Sequence, residues 1–156
     1  MALDSGALED AILEFLEGTP DTAADAADAL AELYADYAGD GTFAASSLVI
    51  DGPRVDAFAA TLAGGLVASP DPTAFLTALS SGLATFWTGA VVAGPQNGAT
   101  VGCPGAASLP AALAAMLAVP NDRESAASGL AAALHTATQT VTALVSPPAA
   151  TTLPIA

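Results

Sequence analysis

The sequence has almost no basic residues and very few charges beyond its first third. Two of its 156 residues are Lys or Arg and sixteen are Asp or Glu, which gives a formal net charge of −14. Thirteen of the carboxylates lie between Asp4 and Asp56. Binding to nucleic acid depends on Lys and Arg side chains that neutralise phosphates, so this balance disfavours nucleic-acid binding. It equally disfavours binding to anionic membrane surfaces.

Cysteine and histidine are each present once, as Cys103 and His135, which excludes an intrachain disulfide and leaves no set of zinc ligands. Cys103 has no basic neighbour that would lower the pKa of its thiol, so we expect a buried small residue rather than a nucleophile. His135 lies in an amphipathic helical pattern, where a lone histidine is typical of the surface or the core boundary. Catalysis or metal binding by His135 is the alternative.

Other common functional signals are also missing. The Gly- and Pro-rich segment 94–108 has no lysine and no GxxxxGK motif, so it indicates a connector or subunit contact rather than a phosphate site. The sequence places no histidine near Ser80, Ser81 or Ser108 that could act as a base. These absences predict that the chain is not an enzyme and uses no cofactor and no metal.

Long apolar runs with basic flanks are absent as well. The segment 73–94 lacks charges, but it contains several Ser, Thr and Gly residues and has no Lys or Arg beside it, so we expect no membrane span. The first ten residues, MALDSGALED, have neither a positive region nor an apolar core, which argues against a signal peptide.

Helical periodicity and capping signals are present along most of the chain. Apolar residues at spacings of three and four predict an acidic helical pair over 5–38 and a charge-poor helical body over 53–145. On the second acidic helix, one face carries Asp25, Asp28, Glu32 and Asp36; we interpret it as a solvated face, with divalent-cation binding as the alternative. The segment around Leu48 to Ile50 is either a short strand or an extended connector.

The predicted fold is all-α, an alanine-rich bundle of about five to six helices in a single domain over residues 1–145. The uncharged segment 146–156, SPPAATTLPIA, contains three prolines and predicts an extended Pro/Thr C-terminal arm. Gly65 and Gly82 occupy similar places in two helical patterns, Phe58 to Leu66 and Phe75 to Leu83. Glycine disfavours a helix, so its presence there predicts close packing of the two helices.

A stretch of about a hundred residues with four charges does not suit a surface that faces water on all sides. We therefore expect residues 57–156 to contact copies of the same chain in a symmetric oligomer, with a closed ring as one solution. Trp87 is either an interface anchor or the largest core residue. The candidate subunit-interface residues are Phe86, Trp87, Leu130, Leu134, Val141, Pro147, Pro148, Leu153 and Ile155.

From Phe86 onward the order of segments becomes informative. FWTGAVVAGP is followed by a Gly-rich loop, by PAALAAML, by NDRESAASGLAAALHTATQTVTAL and by the uncharged arm. Over about seventy residues this layout resembles small virion structural proteins of tailed bacteriophages and tailed archaeal viruses. The resemblance rests on general pattern and carries no catalytic residue over to this chain.

The resemblance implies a structural subunit of the particle, in the head–tail connector, the neck or the tail. Such a subunit is made in the host cytoplasm, is located in the virion, and contacts copies of itself and other virion proteins. The alternative from another class is a soluble acidic binding module or a virion assembly chaperone whose acidic helices meet a basic partner. An enzyme that uses His135 or Cys103 is the remaining alternative.

Overall fold

The computed structural model describes residues 3–67, 72–118, 122–146 and 150–156. Within these ranges the chain contains α-helices, one short 3-10 helix (Pro104–Ser108) and β-strands. The helices are α1 (Ser5–Glu17), α2 (Ala23–Gly39), α3 (Gly52–Val67), α4 (Pro72–Trp87), α5 (Leu109–Leu117) and α6 (Arg123–Thr138). The strands are β1 (Thr42–Phe43), β2 (Ser46–Val49), β3 (Val91–Ala93), β4 (Asn97–Gly102), β5 (Thr142–Ser146) and β6 (Thr151–Pro154).

The prediction of an all-α bundle is wrong, because a six-stranded antiparallel sheet accompanies the helices and the fold is α+β. Neighbouring strands follow chain order from β1 to β6. Strand β4 lies in the segment expected to be a loop, and β5 lies where helical periodicity was expected to continue to residue 145. The expected extended arm contributes β6, which pairs with β5 through Thr151–Val145 and Ala143–Leu153. Pro147 and Pro148 lie outside the described residues.

The helices stop earlier than their apolar spacing suggests because β-branched residues follow them. Helix α4 ends at Trp87, and Gly89 then adopts a positive φ of 70°. Val91 and Val92 follow as alternately exposed and buried residues of a strand. After α6, the residues Thr142–Ser146 show the same alternation. Branched side chains at Cβ pack well on a pleated surface and are restricted in a helix, so both segments prefer the sheet.

The sheet closes on itself into a near-barrel. The N–H of Thr42 donates to the carbonyl of Ala156 at 3.1 Å, and the N–H of Ala156 donates to the carbonyl of Thr42 at 2.9 Å. Ile155 donates its N–H to the Val141 carbonyl at 3.1 Å, and its side chain is buried. A Cβ placed on Gly41 would lie 2.6 Å from Ile155 Cδ1, so a side chain at this position would have to displace Ile155. The end of the chain is therefore a structural part of the core.

The element order repeats three times as two helices followed by a β-hairpin. The first residues of β1, β3 and β5 are Thr42, Val91 and Thr142, and the same spacings of 49 and 51 positions separate Leu30, Leu79 and Leu130. The sequence also places Pro followed by Asp or Asn at 20–21, 70–71 and 120–121. Each helix contacts the next along the chain, and α6 returns to contact α1, which completes a ring of helices. The chain thus consists of three related units of about fifty residues.

The close packing predicted at two helical glycines is confirmed. On α3, a Cβ at Gly65 would lie 2.5 Å from the Ala78 Cβ and 3.1 Å from the Phe75 Cα of α4. On α4, a Cβ at Gly82 would lie 2.7 Å from the Phe58 ring of α3. The absence of side chains at both positions lets the two helix backbones approach each other.

Candidate functional site

A buried chain of hydrogen bonds joins the three repeated units at the centre of the molecule. Trp87 Nε1 donates to the Tyr34 hydroxyl at 2.7 Å, and the Tyr34 hydroxyl lies 2.6 Å from Thr138 Oγ1. Thr138 Oγ1 donates to the carbonyl of Leu134 at 2.8 Å, so the Tyr34 hydroxyl is the donor to Thr138. Tyr34, Trp87 and Thr138 come from α2, α4 and α6 and are fully buried. Burial raises the pKa of Tyr34, which keeps the hydroxyl protonated. The network is thus a satisfied structural link with no free group for acid–base chemistry.

A second tyrosine connects α2 to the single histidine. The Tyr37 hydroxyl lies 2.6 Å from His135 Nδ1, and the two rings meet edge to face with centroids 6.1 Å apart. Burial, and then the charge of Asp4, raise the pKa of Tyr37. His135 is half-buried, and among the described residues it has no carboxylate partner that would make it a catalytic base. The pair fixes the Tyr37 ring in place.

The candidate nucleophiles are all engaged with backbone carbonyls. Cys103 is buried, its Sγ donates to the Ala137 carbonyl at 3.2 Å, and burial raises the pKa of its thiol. Ser80 and Ser108 donate to the carbonyls of Ala106 and Gly105, each at 2.7 Å. A buried thiol with a raised pKa carries little thiolate near neutral pH, so Cys103 is suited to packing.

Helices α1 and α2 enclose an open groove of about 510 Å³. Its floor is apolar and is formed by side chains from both helices, of which Leu8 and Tyr37 are buried. Carboxylates from the same two helices and their ends line the groove beside this floor. The apolar lining residues are Ala7, Leu8, Ala11, Phe15, Ala29, Leu33 and Tyr37, and the acidic ones are Asp4, Glu14, Glu32, Asp36 and Asp40.

The first unit supplies no Lys or Arg side chain to balance the negative charge of this groove. Residues 1–53 contain no Lys or Arg. The nearest arginine in sequence, Arg54, directs its guanidinium at the end of α4, where Nη1 donates to the carbonyls of Phe86 and Thr88 and Nη2 donates to that of Gly89 at 3.2 Å. A guanidinium is favourable there because the C-terminus of a helix carries partial negative charge. The carboxylates that line the groove, which form its rim, therefore stay without a neighbouring Lys or Arg of the first unit, and the rim is strongly negative.

The outer face of the sheet, in contrast to the acidic groove, is uncharged. In the described strands no residue is charged, and neither are residues 44–45 and 94–96, which connect adjacent strands. Strand pairing aligns Val49 with Val91, Val91 with Ala99, and Ala99 with Leu144. Val49, Val91 and Leu144 are each 46 to 49% exposed, and Val101 on β4 is 62% exposed. A row of exposed apolar side chains thus crosses four neighbouring strands.

Most of the predicted interface residues are buried within the chain, where they pack against other parts of the same core. Leu130 and Leu153 are partly buried against that core. The fully or nearly fully buried residues are Phe86, Trp87, Leu134, Val141 and Ile155.

The groove and the apolar row were missed by sequence reasoning for different reasons. The carboxylates of Glu32 and Asp36 are obvious in the sequence, but the gap between α1 and α2 is not. The exposed row depends on register between Val49, Val91 and Leu144, which are far apart in the chain. Strand alternation near Val91 and Thr142 was the one available signal.

Two further findings concern the described residues only. No three His, Cys, Asp or Glu side chains there are grouped closely enough to hold a metal ion. No helix there has both the length and the apolar character needed to cross a bilayer.

Comparisons with protein-family models, with curated proteins and with solved structures find no match to this chain.

Proposed function

We propose that the chain is a structural subunit that assembles with copies of itself through the uncharged outer face of its sheet, as a component of a virus particle in the neck or tail. The observation that carries the proposal is the apolar row across that face. Exposed apolar patches bounded by polar residues are typical of protein–protein contact sites. The virion assignment is supported by the sequence layout from Phe86 onward.

Net charge limits which surface two copies can share. In a twofold interface the same patch meets itself, so each carboxylate in the patch comes close to its own copy. A molecule of net charge −14 is therefore repelled at its acidic helices. The sheet face avoids this repulsion, since its described strands carry no charged side chain. Self-association through the sheet also leaves the acidic helices in water, where they keep the assembly soluble.

The proposal is tested by adding the same charge at two exposed valines. Val91→Glu places a carboxylate in the apolar row, and Val67→Glu places one on α3, where Val67 is 74% exposed and lies outside the sheet. Both variants have the same net charge, so only the position differs. We expect Val91→Glu to give monomers and Val67→Glu to keep the wild-type mass, measured by sedimentation across a range of protein concentrations.

A monomeric wild-type protein at high concentration, or equal effects of the two variants, would contradict the sheet-face contact. The virion assignment has its own test, which is whether the chain sediments with particles that carry portal or tail proteins. Recovery of the chain only among unassembled proteins would argue against that part of the proposal.

A further inference from the structure

We infer that the groove between α1 and α2 binds a basic amphipathic helix from another protein. The floor and the rim of the groove point to the same partner. An apolar floor requires an apolar face, and a rim of carboxylates requires Lys or Arg beside that face. The inference is independent of self-association through the sheet.

The groove of the first unit differs from the grooves of the other units in its lining. In the second unit, α3 and α4 also enclose a groove of about 510 Å³, but no charged residue lines it. In the third unit, a groove of about 320 Å³ between α5 and α6 is uncharged as well. Of these three grooves, the one between α1 and α2 alone is lined by carboxylates, which both of its helices and their ends supply. A recognition helix laid into a groove between helices is a common binding mode.

The floor of the groove is held rigid before any partner arrives. Tyr37 is fixed by its hydrogen bond to His135 on α6 and by the contact of its ring with the tilted ring of Tyr34, whose centroid lies 5.8 Å away. Leu8 is 1% exposed and belongs to the main core. A preformed floor reduces the ordering cost of binding, so affinity comes from apolar contact and from charge.

The charges select a basic partner over other ligands. Carboxylates from α1, α2 and their ends line the groove, and no Lys or Arg of the first unit offsets them. Among the described residues no carboxylates are grouped closely enough to hold a metal ion, which argues against a single cation as the ligand. Helix α1 is 13 residues long, so the groove accommodates a helix of about 20 Å, or roughly 13 residues.

The probe is a synthetic peptide of about four helical turns with Leu on one face and Lys on the other. A scrambled peptide of the same composition, which has the charge without the apolar face, is the control ligand. Binding is measured by fluorescence anisotropy with the full chain at low and at high salt. We expect the amphipathic peptide to bind at low salt and to weaken at high salt, because exposed charge pairs are screened.

Two double variants remove the same number of charges from the same two helices. Glu14→Gln with Glu32→Gln changes the groove rim, whereas Asp10→Asn with Asp28→Asn changes exposed carboxylates outside the groove. We expect the rim variant to weaken binding by about tenfold and the control variant by less than about twofold. Circular dichroism checks that both variants keep the helical signal of the wild type.

Three results would overturn the inference. The first is no binding of the amphipathic peptide at low salt. The second is equal binding of the scrambled peptide, which would show attraction to net charge alone. The third is an equal loss in the two double variants, which would place the binding outside the groove.

Discussion

At the scale of single residues, Tyr34 combines close packing of its ring with two buried hydrogen bonds at its hydroxyl. Its ring meets Phe58 and Phe86 edge to face, with centroids 5.7 and 5.4 Å away, and its hydroxyl serves both Trp87 and Thr138. Buried polar groups are stable only when each has its partner, so the hydroxyl is what makes this arrangement possible. The three repeated units meet at this one oxygen.

Replacing Tyr34 with Phe should destabilise the fold by about 1–3 kcal/mol, because the change leaves the Trp87 N–H without its acceptor in a buried site. Urea unfolding measures the loss. Tyr37→Phe is the matched control, since its hydroxyl contacts a half-buried histidine, and we expect a smaller loss there. An equal or larger loss from Tyr37→Phe would contradict the central role of Tyr34.

The two arginines should differ sharply in their contribution to stability. Arg54→Met removes a guanidinium that donates to carbonyls at the end of α4, and we expect a loss of about 1–3 kcal/mol in the free energy of unfolding. Arg123 is exposed on the first turn of α6, so Arg123→Met should change stability by less than about 0.5 kcal/mol. Similar values for both variants would show that the contacts of Arg54 contribute nothing.

At the scale of elements, adjacent glycines on α3 have opposite roles. Gly65 packs against α4, whereas a Cβ at Gly64 would meet nothing within 4 Å. Gly65→Ala should cost about 1–3 kcal/mol through overpacking. Gly64→Ala should stabilise the protein by up to about 1 kcal/mol, because alanine favours the helix. Thermal and urea unfolding of the two variants measure the expected loss and the expected gain in the free energy of unfolding. A Gly65→Ala variant that is more stable than the wild type would contradict the close contact.

The end of the chain gives a second test at this scale. Deleting residues 155 and 156 removes the buried Ile155 side chain and both hydrogen bonds between Thr42 and Ala156. We expect the free energy of unfolding to fall by about 2–5 kcal/mol. Thr152→Ala, at an exposed position of β6, serves as the control and should be close to neutral. Unchanged stability after the deletion would support the extended arm that the sequence suggested.

Local signals predicted the helices well and the strands poorly. Helix α3 lies at the start of the helical body expected from residue 53 onward, and Asp122 caps α6 by accepting from the N–H of Ser125. Capping and periodicity are local, so they are readable along the chain. The strands are short, and their partners are distant in sequence, as for Leu48 with Val92. Their existence depends on tertiary pairing.

The same contrast applies to the candidate surfaces. The acid-rich beginning of the chain is visible in composition, but the groove between α1 and α2 depends on how these two helices pack, which composition does not show. Trp87 and Phe86 were attractive interface residues by type, but both side chains are buried in the core. Exposed Val91 and Leu144 were unremarkable in the sequence, and only strand register places them in one row.

At the scale of the whole molecule, the proposed contacts respond to salt in opposite directions. Added salt screens the repulsion between copies of net charge −14, so self-association through the uncharged sheet should strengthen between about 0.05 and 0.5 M NaCl. Binding of a basic peptide to the groove should weaken over the same range. Sedimentation measures the first response and fluorescence anisotropy the second. Association that weakens with salt would indicate an interface that includes the acidic helices.

Charge asymmetry along the chain also has a structural meaning. The first of the three units carries most of the carboxylates and the acidic groove, while the second and third units have few charges. All three units supply strands to one sheet. The molecule thereby offers two distinct surfaces, an acidic groove between helices and an uncharged sheet face.

The most direct measurement of the central proposal is the distance between copies at the sheet face. Leu144→Cys in a Cys103→Ala background carries one spin label in the apolar row, and Val67→Cys carries one on α3. Double electron–electron resonance then reports the separation between labels on different copies. The sheet-face contact predicts a short, defined distance for position 144 and a longer one for position 67. No intermolecular distance at 144, or a shorter distance at 67, would contradict it.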